Sequence, residues 1–140
     1  KFYGISIRVP VPAGSIVDIT FIAKRNTSRE EINQILTDAA ADPHWSKTFA
    51  VTNEPLVSSD ILGNSHASIA DLEMTRVVDG NLVKVMGWYD NEYGYTCNLL
   101  RLTRYVGYAK LSMTNLPASA EDEAVAFKGG WCSEDGVVTS

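Results

Sequence analysis

The sequence predicts an α+β fold, a mostly antiparallel or mixed sheet with a helix on one face and a second helix at the carboxyl-terminal end. Three observations predict it. Runs rich in Ile and Val at residues 5 to 9 and 16 to 23 show the partial alternation of strands. An apolar stripe at helical spacing follows a capping signature at Thr27 and Glu30. Two further apolar runs bracket Asp79-Gly80, a pair that tolerates the positive φ of a tight antiparallel hairpin. With 140 residues and 45% hydrophobic content, the chain fits one domain with a core of useful size.

Taken in order, the first two runs read as strands joined irregularly through Pro10, Pro12 and Gly14. Asn26-Thr27-Ser28-Arg29-Glu30 starts a helix, because the Thr27 hydroxyl and the Glu30 carboxylate can each satisfy an orphan amide beside the other. Ile32, Ile35, Leu36, Ala39 and Ala40 then fall on one stripe, expected to be buried, and Asp42-Pro43 closes the element, giving a helix over residues 28 to 41. Between Phe49 and Ala70, short apolar pieces alternate with Pro55, Gly63 and several Ser and Asn residues, which predicts brief strands and loops. Residues 74 to 78 and 81 to 89 form the hairpin, whose second strand runs into Trp88 and Tyr89. Leu99, Leu100, Leu102, Tyr105 and Val106 suit a helix from about Asn91, its expected N-cap, to Tyr105, with Gly107 as the stop. From Ser112 the composition turns to Ala, Ser, Glu, Asp and Gly, which predicts a loosely held tail.

Charge and composition narrow the function. A net charge of −5, with both signs spread along the chain, offers no cationic face to nucleic acid or anionic lipid. No segment reads as a leader or a membrane span, so a soluble, cytoplasmic protein is expected. The apolar opening, with Phe2, Tyr3, Ile5 and Ile7, reads as an internal cut. Cys97 and Cys132 have neither metal-ligand spacing nor a disulfide framework, so reduced thiols and no metal site are expected. His44 and His66 read as surface-loop residues, and no Gly-x-Ser-x-Gly elbow accompanies them.

Four blocks carry a more specific signal. They are Arg8-Val9-Pro10 with Gly14-Ser15-Ile16-Val17-Asp18; Pro55-Leu56-Val57-Ser58-Ser59-Asp60; Asp79-Gly80-Asn81-Leu82-Val83-Lys84-Val85; and Trp88-Tyr89-Asp90-Asn91-Glu92-Tyr93-Gly94-Tyr95. In that order they resemble glyceraldehyde-3-phosphate dehydrogenase, in the carboxyl-terminal part of its catalytic domain. The last block is the most distinctive, because it serves no generic turn or capping purpose. The resemblance covers residues 1 to 107 and leaves 108 to 140 as an unmatched, flexible tail. Erythrose-4-phosphate dehydrogenase is similar in the same blocks and stands as the alternative.

In the family, a cysteine thiolate attacks an aldehyde, a histidine acts as base, hydride passes to NAD or NADP, and phosphate releases the acyl group. The resemblance implies that Arg8 binds substrate or attacking phosphate, for which a planar, permanently charged guanidinium suits better than a lysine. It implies that Asn91 pins the nicotinamide carboxamide, that Tyr95 lies near the nicotinamide, and that Tyr89 lines the pocket. Core packing is an equal reading of both tyrosines, and a first-turn helix glutamate accounts for Glu92. The family's Ser-Cys-Thr-Thr-Asn nucleophile run, the histidine base after it and a Gly-x-Gly-x-x-Gly dinucleotide fold do not occur here. The expectation is therefore a homo-oligomeric dehydrogenase fragment with no catalytic residue of its own, inactive alone and holding no cofactor alone. A non-catalytic self-association module is the competing class.

Overall fold

The computed structural model describes residues 3–113, with side chains to residue 108. Its elements are strand β1 (Ser15–Ile22), helix α1 (Arg29–Ala41), strand β2 (Phe49–Thr52), a short 3-10 helix (Ser58–Ile61), strands β3 (Ser68–Val78) and β4 (Leu82–Tyr89), and helix α2 (Tyr93–Met113). The four strands form one mixed sheet in the order β1-β4-β3-β2. β4 runs antiparallel to both β1 and β3, while β2 lies parallel to β3. The expected α+β architecture is the one observed.

The β3–β4 hairpin follows from its turn. Asp79 and Gly80 hold φ of 50° and 77°, the paired left-handed conformations whose twist matches that of the flanking strands. β3 begins at Ser68, six residues before the expected start at residue 74, because a bulge interrupts it. From Asp71 to Arg76 β3 advances five residues, while its partner positions on β4 move only from Met86 to Lys84. Asp71 holds the extra residues: its Oδ1 accepts the Glu73 and Met74 amides at 3.1 and 3.2 Å, and its Oδ2 accepts Trp88 Nε1 at 3.0 Å. A carboxylate buried to 2% exposure is tolerated there because three donors replace its water.

α1 packs against β2 and β3. Its N-cap is Ser28, whose Oγ accepts the Glu31 amide at 3.2 Å, one residue beyond the expected Thr27–Glu30 pairing. Thr27 Oγ1 instead donates to the Glu31 carboxylate, which Arg25 also grips. Those partners, Arg25 foremost and Thr27 next, bring the Glu31 carboxyl down to about 2. The apolar stripe of α1 is half-buried, and Ile35 is 53% exposed, because the helix covers only part of the sheet. Arg29 Nη2 and Asn33 Nδ2 both donate to the Leu72 carbonyl, at 3.2 and 3.0 Å, so α1 grips the bulge of β3.

The core cluster joins Ile61 of the 3-10 helix to Ile69 of β3 and Trp88 of β4, with Ala50 and Leu56 packed beside it. Residues 5 to 9 do not form the expected strand: Ile5, Ile7 and Val9 lie on exposed coil. β propensity needs a neighbour to pair with, and the free edge of β1 pairs with no described residue. α2 starts two residues after Asn91 and continues through Gly107 to Met113, beyond the expected stop. Glycine ends a helix when it turns left-handed, and Gly107 is not among the glycines with positive φ. The remaining residues of the expected tail lie outside the described region. Cys97 is buried at 2% exposure and is not a free thiol, against the expectation of reduced cysteines.

Candidate functional site

Three of the four candidate residues sit on the junction between β4 and α2. Tyr89 is the last residue of β4, half-buried and paired across the sheet with Ser15. Asp90 follows at 6% exposure. Its Oδ1 accepts the Glu92 and Tyr93 amides at 2.9 and 2.7 Å, and its Oδ2 accepts the Gly63 amide at 2.9 Å. Asp90, not Asn91, therefore caps α2 and ties it to the loop after the 3-10 helix. Burial pushes the Asp90 carboxyl up, but the three backbone donors outweigh it and hold the group below its ordinary value.

Asn91 is thereby released from the expected capping role. Its Oδ1 accepts the backbone amide of Gly14 at 3.0 Å. Gly14 is buried and left-handed at φ 84°, and a β-carbon there would lie 2.9 Å from the Ser58 carbonyl oxygen. Only glycine brings this loop so close to the 3-10 helix. The same helix is braced by the Asp60 carboxylate, which accepts the Val57 amide at 2.8 Å.

On the other side, Gly94 lets α2 approach the 64–66 loop, since a β-carbon at that position would meet the His66 carbonyl oxygen at 2.6 Å. Asn98 Nδ2 and Arg101 Nη1 then donate to the Ser65 carbonyl at 3.2 and 2.9 Å. Tyr95, in the first turn of α2, is 65% exposed. His66 is half-buried, its ring nitrogens facing Asn64 Oδ1 at 2.8 Å and the Ser46 carbonyl at 3.3 Å, which makes it a loop fastener. His44 lies exposed against the Trp45 ring.

Arg8 lies apart from this scaffold, on exposed coil and not on the strand expected to steady it. Its side chain makes no ion pair or hydrogen bond with any described residue. Five residues separate it from Gly14, so it stays within about 22 Å of that glycine along the chain. Tyr89, Asn91 and Tyr95 thus lie along one strand-to-helix junction, and Arg8 is linked to it along the chain through Gly14. Sequence reasoning gave no role to Asp90 and read Gly14 only as part of an irregular link between strands. The signal was present for both: an aspartate three residues ahead of a helix start, and a glycine next to Ser15 at the head of a strand. Among the described residues no group of His, Cys, Asp and Glu is placed to hold a metal ion.

The molecule is an α+β sheet domain with a braced strand-to-helix junction that presents a carboxamide and two tyrosines. The family pattern described as glyceraldehyde 3-phosphate dehydrogenase, C-terminal domain, matches residues 1–91. The chain belongs to the glyceraldehyde-3-phosphate dehydrogenase family. Relatives named glyceraldehyde-3-phosphate dehydrogenase include one from Borreliella burgdorferi, 45% identical over 105 residues that cover 74% of this chain and 31% of the relative. One from Zymomonas mobilis is 46% identical over 96 residues, 69% of this chain and 28% of the relative. One from Streptococcus pyogenes is 43% identical over 115 residues, 80% of this chain and 32% of the relative. The chain spans about a third of the length of the curated relatives it matches.

Proposed function

We propose that this chain forms the substrate-phosphate and nicotinamide-facing part of a cytoplasmic, homo-oligomeric, NAD(P)-dependent phosphorylating glyceraldehyde-3-phosphate dehydrogenase acting in glycolysis. The single observation that carries this reading is the β4–α2 junction, where the family's distinctive run ends a strand with Asn91 braced and accessible. No helix among the described residues is long and apolar enough to cross a membrane. The relatives' shared name favours glyceraldehyde 3-phosphate over erythrose 4-phosphate as the aldehyde.

The residues present fit a nicotinamide. Asn91 is exposed, its acceptor is committed to Gly14 and its Nδ2 bonds to no described residue, so it has a donor to offer a ring carboxamide. A bound nicotinamide dinucleotide supplies the hydride acceptor. Asn91 would hold the ring's carboxamide, and Tyr95 in the first turn of α2 and Tyr89 at the end of β4 would line its surroundings. Arg8 binds the phosphate of the substrate or the attacking phosphate, its charge unspent on any described carboxylate. The chain carries none of the family's nucleophile run, so the bond-making thiolate and its histidine base come from elsewhere in the enzyme. Residues 1 to 107 serve as this partial catalytic domain, and 108 to 140 take no part in it.

Purified chain mixed with glyceraldehyde 3-phosphate, phosphate and NAD should form no NADH, and clear turnover would overturn the division of labour. Joined to the family's nucleophile-bearing and dinucleotide-binding region, the chain should support NADH formation. In that enzyme Arg8→Ala should lower kcat/KM for the aldehyde by about 10- to 100-fold, the worth of one charge-assisted hydrogen bond. An unchanged kcat/KM would remove Arg8 from the phosphate site.

A further inference from the structure

A side-chain carboxamide is ambiguous: its oxygen accepts, its nitrogen donates, and a half-turn exchanges them. Which end meets a ligand must be decided by something else. At Asn91 the decision is made by a backbone group on a distant segment. The Gly14 amide, 77 residues away in sequence, donates to Oδ1 at 3.0 Å. Flipping the carboxamide would set its NH2 against the Gly14 N–H, donor against donor, and forfeit that bond. Oδ1 is thus committed, and Nδ2, on an exposed residue, is bonded to no described residue.

The amide of Gly14 is itself held in place. Its φ of 84° directs the N–H as a β-carbon-bearing residue rarely does, and its missing β-carbon admits the Ser58 carbonyl to a distance no side chain would allow. The 3-10 helix that carries Ser58 is buried through Ile61 in the core with Ile69 and Trp88. The receiving residue is fixed on its own side by Asp90, whose three amide bonds lock the start of α2. Both ends of the Gly14–Asn91 bond are therefore anchored before any ligand arrives.

We infer that Gly14 is a positioning residue for Asn91, and that through it the site presents a hydrogen-bond donor, selecting a ligand whose group at this point is a carbonyl or another acceptor. The identity of that ligand as a nicotinamide rests on the function proposed above; the polarity of Asn91 does not. Gly14 touches no reacting atom, and its effect passes entirely through the carboxamide it orients.

The test uses nitrogen-15 NMR of the whole chain. In the unmodified protein the Gly14 amide should exchange slowly with solvent and the Asn91 NH2 pair should give one well-dispersed set of resonances. Gly14→Ala should collapse the Asn91 pair toward the shifts of a freely rotating carboxamide. The Trp88 indole N–H, bonded to buried Asp71, should keep its shift and report an intact fold. Asn91→Asp retains an oxygen for Gly14 and should keep its amide protected, whereas Asn91→Ala should speed Gly14 exchange at least about tenfold. If Gly14→Ala fails to fold, the two Asn91 variants decide alone. An Asn91 pair unmoved by Gly14→Ala in a folded protein, or equal Gly14 exchange in both Asn91 variants, would overturn the inference. These readouts involve no cofactor, so a dehydrogenase assay that failed would leave them standing, and their failure would leave the family assignment untouched.

Discussion

Replacing Asp71 by alanine should destabilise the domain by about 3–5 kcal/mol, measured as the change in unfolding free energy in urea. The carboxylate is 2% exposed and accepts from the Trp88 indole and from two amides of the β3 bulge. Truncation leaves the buried indole N–H and both amides without an acceptor, and each orphan donor carries a penalty of about 1–3 kcal/mol that adds less than linearly. The bulge also loses the clamp that holds its extra residues, so the grip of Arg29 and Asn33 on the Leu72 carbonyl should loosen with it. Asp71→Asn keeps one carboxamide oxygen and should cost about half as much, because its nitrogen then opposes a donor. A loss under about 1 kcal/mol for the alanine variant would mean that the bulge is held by something other than this carboxylate.

Asp90→Ala should cost about 2–4 kcal/mol near neutral pH, combining a lost helix cap with an orphaned Gly63 amide. Asparagine, often a good cap, should not rescue it fully, since only one of its two terminal atoms accepts and Gly63 would face an NH2. The effect should also carry a pH signature. Three backbone donors hold the folded carboxyl below its ordinary value near 3.8, while in the unfolded chain that value is restored. The stabilisation linked to this shift is present in full above about pH 3.9, the ordinary aspartate range, and is lost as pH falls through the depressed folded value. Urea midpoints of the native protein and of Asp90→Ala should therefore converge on acidification below that range and stay apart above it. Parallel curves down to pH 2 would show that the amides do not favour the charged form.

Much of this arrangement is legible in the sequence where a local rule and the tertiary context agree. Asp79-Gly80 specifies its turn without help, and both residues adopt the left-handed backbone that their side chains permit. The helix of residues 28 to 41 is equally clear, although choosing between Thr27 and Ser28 as cap needs the entry direction of the chain, which propensity does not supply. The same ambiguity arises at Asp90 and Asn91. Either residue caps a helix, and only the Gly63 and Gly14 amides, arriving from loops far away in sequence, separate their tasks. Residues 5 to 9 show the converse, a strand-like composition with nothing to pair against among the described residues. The bulge at Asp71 is invisible to any period-based reading, because it shifts the alternation of β3 part-way along. Of the candidate site, the residue types were legible from the distinctive run, but the bond that orients Asn91 is a property of packing.

The sheet order places chain neighbours at its centre and a distant strand at its rim. β3 and β4 meet across a turn that joins Val78 to Leu82, whereas β1 reaches β4 with Ser15 opposite Tyr89. Closing a short loop loses little chain entropy and closing a long one loses more. The hairpin should therefore form first and β1 dock on it late, and that docking would deliver Gly14 to Asn91. Under conditions that fray the first strand, amide protection should vanish from Ser15–Ile22 and from Gly14 together, while the hairpin still holds its protons; the end that carries the candidate site should mature last and loosen first.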